Sequence, residues 1–340
     1  MITIKKKILL TGATGTVGKE VLNQLIQLNC YDVFITIRKK NIRKKELKKI
    51  STKAQVIDCD LSKAEDVFKI NDQYDGVIHL AAVIPPLADE QPSLAKAVNT
   101  NGTINLINQL EKVSPNAFFM YSSSISVYGD RITSPNIKVS DPLQVSLGDE
   151  YAVTKIDAEK ALMNSSLSWT IFRLSAIMGV KNHKMSGLMF HMPLETSMEI
   201  CTPSDTARAF VNGLKKKNEL NHRIFNLAGG EKCRITYEKF LEENFKMNGL
   251  GKLNFPPKTF AEKNFHCGFY ADGQELEEIT KFRNDTLQDY FNMNKKSIPL
   301  IQKKATYLLK GIIKYFIKKQ SEPLKAYLSK DKKLMKRFFK

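Results

Sequence analysis

Residues 7–18 read KILLTGATGTVG: a short β-rich apolar run, then Gly12, Gly15 and Gly18 spaced three apart. Behind them VLNQLIQL, residues 21–28, carries its apolar side chains at helical spacing. A strand that turns through glycines into a helix opens a βαβ unit. Such a turn lets backbone approach a ligand closely and aims the first amides of the helix at negative charge. A glycine triplet alone is weak, because an ordinary strand-to-helix turn reads the same way, so its weight depends on the rest of the chain.

The rest repeats the rhythm. Residues 32–37, 55–58, 76–80, 117–122, 170–174 and 224–227 join 7–11 as strands, mostly apolar on both sides. Residues 17–28, 100–113, 151–164 and 206–216 read as helices from their 3.6-residue spacing. The expected fold class is α/β, a doubly wound, mostly parallel sheet of about seven strands. Residues 1–175, with a last strand near 224–227, would form the dinucleotide-binding domain. Residues 176–294 would add a smaller substrate lobe with helical pieces at 236–248 and 273–291. Residues 295–340 would form a basic helical tail whose two helices start near Pro299 and Pro323.

Length and composition fit that plan. The 340 residues allow two domains, and 42% hydrophobic with 26% charged residues is an ordinary globular balance. No apolar stretch approaches the roughly 18 residues of a spanning helix, and Ile8, Leu9 and Leu10 are too short a run for an export signal. The five cysteines (Cys30, Cys59, Cys201, Cys233, Cys267) are scattered without a CxxC, which argues against disulfides or structural zinc. A reducing cytoplasm and no metal site are expected.

The net charge of +18 is unevenly distributed. Residues 295–340 hold fifteen Lys/Arg and two acids, net +13, leaving +5 for residues 1–294. On a helical wheel Ile301, Ala305, Leu308, Leu309, Ile312 and Phe316 share one face, and Lys303, Lys310, Lys314 and Lys318 the opposite one. Leu324, Tyr327, Leu328, Leu334, Met335 and Phe338 repeat the pattern among further lysines. One expectation is peripheral attachment to the inner face of an anionic membrane. The other is burial of these faces on the protein itself or on a second copy in a homodimer. No nucleic-acid motif is present, so no specific nucleic-acid partner is expected.

Two further features carry chemistry. At the end of the second strand, where an acid would accept from the ribose hydroxyls of NAD, stand Arg38, Lys39 and Lys40, which can pair with a 2′-phosphate. NADP(H) is therefore favoured over NAD(H), unless the run is a solvated basic loop. In YAVTK, Tyr151 and Lys155 lie four apart, on one face of a helix. A neighbouring ammonium would stabilise a phenolate and bring Tyr151 toward working pH. Ser124, in YSSSISVYG after the fifth strand, would donate a hydrogen bond to a substrate carbonyl oxygen. YxxxK alone is common; the order of glycine turn, serine run, then Tyr and Lys opening the next helix gives it meaning.

With TGATGTVG, Asp60-Leu61, HLAA at residues 79–82, Asn99 in VNTNGT, SSSISVYG, YAVTK and RLSAIMG in this order, the chain resembles the extended short-chain dehydrogenases/reductases. The likeness covers about residues 7–230 and is nearest to the NAD-dependent epimerase/dehydratase family. The resemblance implies a Rossmann-type fold in which Gly12, Gly15 and Gly18, with Thr11, Thr14, Thr16 and Val17, hold the pyrophosphate of NAD(P). Arg38, Asp60 and Leu61 would lie at the adenosine end. Leu80, Ala81, Ala82, Asn99, Ser122, Leu174, Ser175 and Ile177 would line or support the nicotinamide side. Ser124, Tyr151 and Lys155 would be the catalytic set, and Val83, Ser124, Ile125 and His191 would face the substrate.

Two departures matter. Arg38 replaces the family's usual acid and points to the NADPH-using reductases. The Thr-Asp-Glu set of sugar dehydratases is here Ser124-Ile125-Ser126, without an acid, so elimination is poorly supported. Reversible hydride transfer at a carbinol or carbonyl carbon remains, with a nucleotide sugar as expected substrate and epimerisation as expected outcome. The alternatives are an NADPH-dependent ketone reductase of the dihydroflavonol-reductase-like branch and a non-catalytic NADP-binding scaffold at a membrane. His79 reads as a packed strand residue, His183 as lying in a loose substrate-side segment, and Asp205 as a helix N-cap.

Overall fold

A computed structural model describes residues 5–39, 42–180 and 185–340. Seven strands, β1 (Lys6–Thr11), β2 (Tyr31–Ile37), β3 (Gln55–Asp58), β4 (Gly76–His79), β5 (Phe118–Ser124), β6 (Ser168–Leu174) and β7 (Arg223–Leu227), form one sheet. Their order is β3-β2-β1-β4-β5-β6-β7, and every pairing is parallel.

Side chains alternate across the pleat, so each strand feeds two apolar layers. Ile8, Leu10, Val33, Ile35, Phe118 and Met120 pack on one face, against Val21, Leu22 and Leu25 of α1 (Thr16–Leu28). Leu9, Phe34, Phe119 and Tyr121 point to the other face, where Leu106 and Leu110 of α2 (Gly102–Val113) and Ala158 and Leu162 of α3 (Glu150–Met163) cover them. Burial on both faces explains why the strands read as nearly continuous apolar runs. The chain winds outward from β1 to β3 and returns to β4 on the other side of β1. The switch point, where ligands bind in open α/β sheets, therefore lies at the carboxyl ends of β1 and β4.

Beyond β6 a lobe forms around a three-stranded sheet in which Ser197–Cys201 pairs with Arg234–Thr236 and Ala176–Ile177. Its core is aromatic, with Phe190, Phe240, Phe245 and Phe260. Three expectations change. The helix expected over 206–216 is α4 (Pro203–Gly213), and its N-cap is Thr202, not Asp205. Asp205 sits buried in the first turn, where its carboxylate accepts the amides of Asn284 and Asp285, both at 2.9 Å. The 273–291 segment is two helices, Gln274–Thr280 and Leu287–Ser297, separated where Lys281 takes a left-handed conformation (φ 49°).

The tail holds three helices rather than two: α5 (Leu300–Lys318), Glu322–Ser329 and Lys332–Phe338, with Lys330 left-handed (φ 54°) between the last two. The final pair is docked on the lobe. Phe338 and Phe339 are buried with Ala261 and Ala326, and Ser321 Oγ donates to the Thr259 carbonyl at 2.7 Å.

Candidate active site

At the switch point Gly12 adopts φ +72°, and a Cβ there would come within 2.7 Å of the Ala81 amide nitrogen. At Gly18 a Cβ would meet the Gly12 carbonyl oxygen at 2.1 Å. Both positions need glycine, because the turn lies flush against the loop leaving β4 and against itself. Gly15 caps α1 with no side-chain bond, and the first turn carries no acid, so the leading amides of a 13-residue helix remain available to an anion. Thr14, Gly15 and Thr16 are exposed, and Ala81, Ala82 and Val83 are half-buried beside them. This cradle fits the pyrophosphate of a dinucleotide. Further along the carboxyl edge, Ser175 Oγ is buried without a hydrogen-bond partner among the described residues, although its amide is bonded to the Leu227 carbonyl at 2.9 Å.

Arg38 leaves the end of β2 with its side chain 44% exposed and Nη1 4.0 Å from the Asp60 carboxylate. Asp60 also accepts from the backbone and hydroxyl of Ser62. Leu61 is buried in the apolar layer beneath, and its carbonyl accepts from Asn105. Lys40 lies outside the described residues.

Asn99, in a π-helical turn over Lys96–Asn101, is 1% exposed and ties three elements together. Its Oδ1 accepts the Val83 amide at 2.7 Å. Its Nδ2 donates to the Val83 carbonyl at 2.9 Å and to Thr154 Oγ1 on α3 at 3.0 Å. His79 is fully buried at the end of β4, as its reading as a packed residue requires. Thr103 Oγ1 spends its proton on the Asn99 carbonyl (2.6 Å), so His79 Nε2 must donate to Thr103 (2.9 Å) and Nδ1 accept from Thr11 (2.6 Å). Burial, and then Lys155, lowers the His79 pKa to about 3, which keeps it neutral.

Tyr151, Lys155 and Ser124 converge. Asp149 caps α3 by accepting from the Ala152 amide, which sets the helix start one residue before Tyr151. Lys155 Nζ is buried, donates to the Ser122 carbonyl at 2.7 Å, and stands 5.8 Å from the Tyr151 ring centre and 4.8 Å from that of Tyr121. Ser124 Oγ accepts from the amide and hydroxyl of Ser126 at 3.2 and 3.0 Å, so its own O–H is left to donate. Burial pushes the Tyr151 phenol above its usual range, and the hydrogen bond with Ser124 works against that rise. Burial brings the Lys155 amine down to about 7, opposed by Glu159. The phenol is thus raised rather than lowered, because the dry site disfavours charge on both groups.

That environment has a measurable consequence. Below pH 7 the native state must hold a charged buried amine, and above it the unfolded chain still binds a proton that the native amine has lost. The destabilisation is therefore complete below about pH 7 and is relieved as pH rises toward 10.5. Relative to Lys155→Met, wild-type unfolding free energy should gain about 1.4 kcal/mol per pH unit across that window, read from urea denaturation at several pH values. A constant difference between the two proteins would place the titration elsewhere.

Three contributors were not foreseen from the sequence. Ser126 supports Ser124. Glu159, one turn beyond Lys155, and Arg173 of β6 form a buried bidentate pair at 3.0 and 2.7 Å. Arg173 also donates to Tyr128 Oη at 2.8 Å, which donates on to Asn226. The spacing 151, 155, 159 was the available signal for Glu159. Among the residues expected at the substrate, Ile125 is buried beside Val127 and Tyr128. His191 instead meets the tail: its Nε2 lies 2.9 Å from the Glu322 carboxylate and its ring packs on Phe338. His183 lies outside the described residues.

Comparison with known proteins bears on the family and the fold. The chain is 26% identical over 177 residues to methionine adenosyltransferase 2 subunit beta of Mus musculus, covering 51% of this chain and 48% of that protein. An uncharacterized epimerase/dehydratase of Staphylococcus aureus is 25% identical over 161 residues, 45% of this chain and 46% of its own. The chain thus spans about half the length of the curated relatives it matches. Among solved structures, UDP-glucuronic acid 4-epimerase from Bacillus cereus superposes with a TM-score of 0.71 at 19% identity, covering 85% of this chain and 98% of that one, a likeness of fold. The model of the NAD dependent epimerase/dehydratase family matches residues 8–228, and the chain belongs to that family.

Proposed function

We propose that the protein is an NADP(H)-preferring oxidoreductase that acts at a carbinol or carbonyl carbon of a nucleotide sugar, as an epimerase rather than a dehydratase. The observation that carries this reading is the meeting of Tyr151, Ser124 and Lys155 at the carboxyl edge of the sheet that bears the glycine cradle. A bound nicotinamide would supply the hydride acceptor and donor. Gly12, Gly15 and Gly18 would hold the pyrophosphate, and Ser175 would offer its unpaired hydroxyl.

Tyr151 would give its proton to the substrate oxygen during reduction and take it back during oxidation; burial keeps the phenol protonated, as the first of these steps requires, whereas the second requires the phenolate. Ser124 would share the charge developing on that oxygen. Lys155 and Asn99 would hold the helix and the loop in place around it. Ser124-Ile125-Ser126 brings no carboxylate beside the hydroxyl, which supports epimerisation over elimination. The UDP-sugar named for the Bacillus cereus protein supports the substrate class.

Arg38 supports the NADP preference. Arg38→Asp should raise the Kd for NADPH about tenfold or more and leave that for NADH nearly unchanged. Equal NADPH binding by the two proteins would remove the preference. The reaction is tested by incubating the protein with NADP or NAD and a panel of nucleotide sugars and simple ketones. New epimers by chromatography without net absorbance change support the proposal; net NADPH consumption with ketones supports the reductase alternative. The relation to a protein named as a transferase subunit favours a second reading, a dinucleotide-binding scaffold, which predicts tight cofactor binding without turnover.

A further inference from the structure

The tail helix α5 is mounted with its apolar side away from the protein. Ile317 is buried in the lobe's aromatic core and Ile313 packs beside it. Lys314 Nζ donates to the Lys252 carbonyl and to Asn254 Oδ1, and the Lys303 carbonyl lies so close to Gly249 that a Cβ there would be 2.5 Å away. The strip facing outward is apolar: Ile301 is 84% exposed, Leu308 82%, Ile312 58% and Phe316 57%. Soluble helices orient the other way, with the apolar face inward. Large apolar side chains left in contiguous exposure mark a surface that something covers.

The flanking charge identifies what covers it. Lys304 and Lys319 border the strip, and residues 295–340 carry a net charge of +13. A second copy docked strip to strip would bring two such tails together against strong repulsion. An anionic bilayer offers apolar depth for the strip and opposite charge for its borders. Exposed Tyr307 and Tyr315 suit the headgroup boundary, where amphipathic rings concentrate. No helix among the described residues is long and apolar enough to cross a membrane, so α5 would lie in the interface plane.

We infer that the outward face of α5 binds the surface of an anionic lipid bilayer and holds the protein there. Binding of this kind does not depend on the catalytic reading. The test uses the full chain in sedimentation with phosphatidylcholine vesicles, with and without phosphatidylglycerol. Wild-type protein should pellet with the anionic vesicles, at least about tenfold more strongly than with neutral ones, and release as salt rises. The double variant Leu308→Glu/Ile312→Glu, whose changes lie on the exposed face, should lose about tenfold or more of that binding while its circular dichroism and Tm stay unchanged. Equal partition of wild type and variant overturns the inference. So does a lipid-free dimer, seen by analytical ultracentrifugation, that the variant abolishes, because the covering surface would then be a second copy.

Discussion

Tyr151→Phe is expected to lower turnover by about a hundred- to ten-thousand-fold while leaving dinucleotide affinity close to that of the wild type. The phenyl ring keeps its place on α3, its centre 5.8 Å from Lys155 Nζ, and the cradle at Gly12 to Gly18 is built from other residues. Only the exchangeable proton goes, together with the hydrogen bond to Ser124. Kd for the cofactor is read by fluorescence titration, and the chemical step by single-turnover absorbance or by epimer formation. Ser124→Ala should give a smaller loss of about ten- to a thousandfold, because it shares charge without moving the proton. A Tyr151→Phe protein that turns over at the wild-type rate would show that another group carries the proton. Unaltered cofactor binding with no wild-type activity on any substrate would instead favour the scaffold reading.

Arg173→Ala is expected to cost about 3–5 kcal/mol of stability. Glu159 is fully buried, and Arg173, itself buried, meets both its oxygens. Burial works to lower the guanidinium's pKa, but the hydrogen bonds and charge of Glu159 prevail and hold it above its ordinary range. Without Arg173 the buried carboxylate loses its paired charge and both of its hydrogen bonds to the guanidinium, with only the Lys155 amine still acting on it, and Tyr128 loses its donor. Replacing both partners, Arg173→Met with Glu159→Leu, removes the stranded charge and should cost less than the single change. Urea denaturation of wild type, Arg173→Met, Glu159→Leu and the double variant measures the coupling. Additive costs would mean that the pair is not energetically linked in the folded protein. Because Glu159 also opposes the lowering of the Lys155 amine, the double variant should titrate that amine at lower pH.

The Arg173–Glu159 pair also shows the reach of sequence reading here. Glu159 follows Lys155 by one helical turn and can be placed on the same face by counting. Nothing local connects it to Arg173, fourteen residues on in strand β6. The same division holds at α4, where the sequence reading placed the N-cap at Asp205 and the structure places it at Thr202. Only the loop at Asn284 and Asp285, folding back onto Asp205, explains why the aspartate is buried within the helix instead of capping it. His191 has likewise an ordinary sequence environment. Its partner Glu322 stands in the docked tail, so no spacing rule relates the two.

What the sequence by itself determined is local in origin: the alternation of strands and helices, the glycine turn at the first crossover and the joint facing of Tyr151 and Lys155. Each follows from the period of a strand or helix, or from the steric freedom of one backbone position, and needs no distant residue. Tertiary structure alone decided the Glu159–Arg173 pair, the neutral tautomer of His79 and the direction in which α5 turns its apolar side. An amphipathic pattern states that two faces differ. Which face is covered depends on the surface that the rest of the chain presents to it.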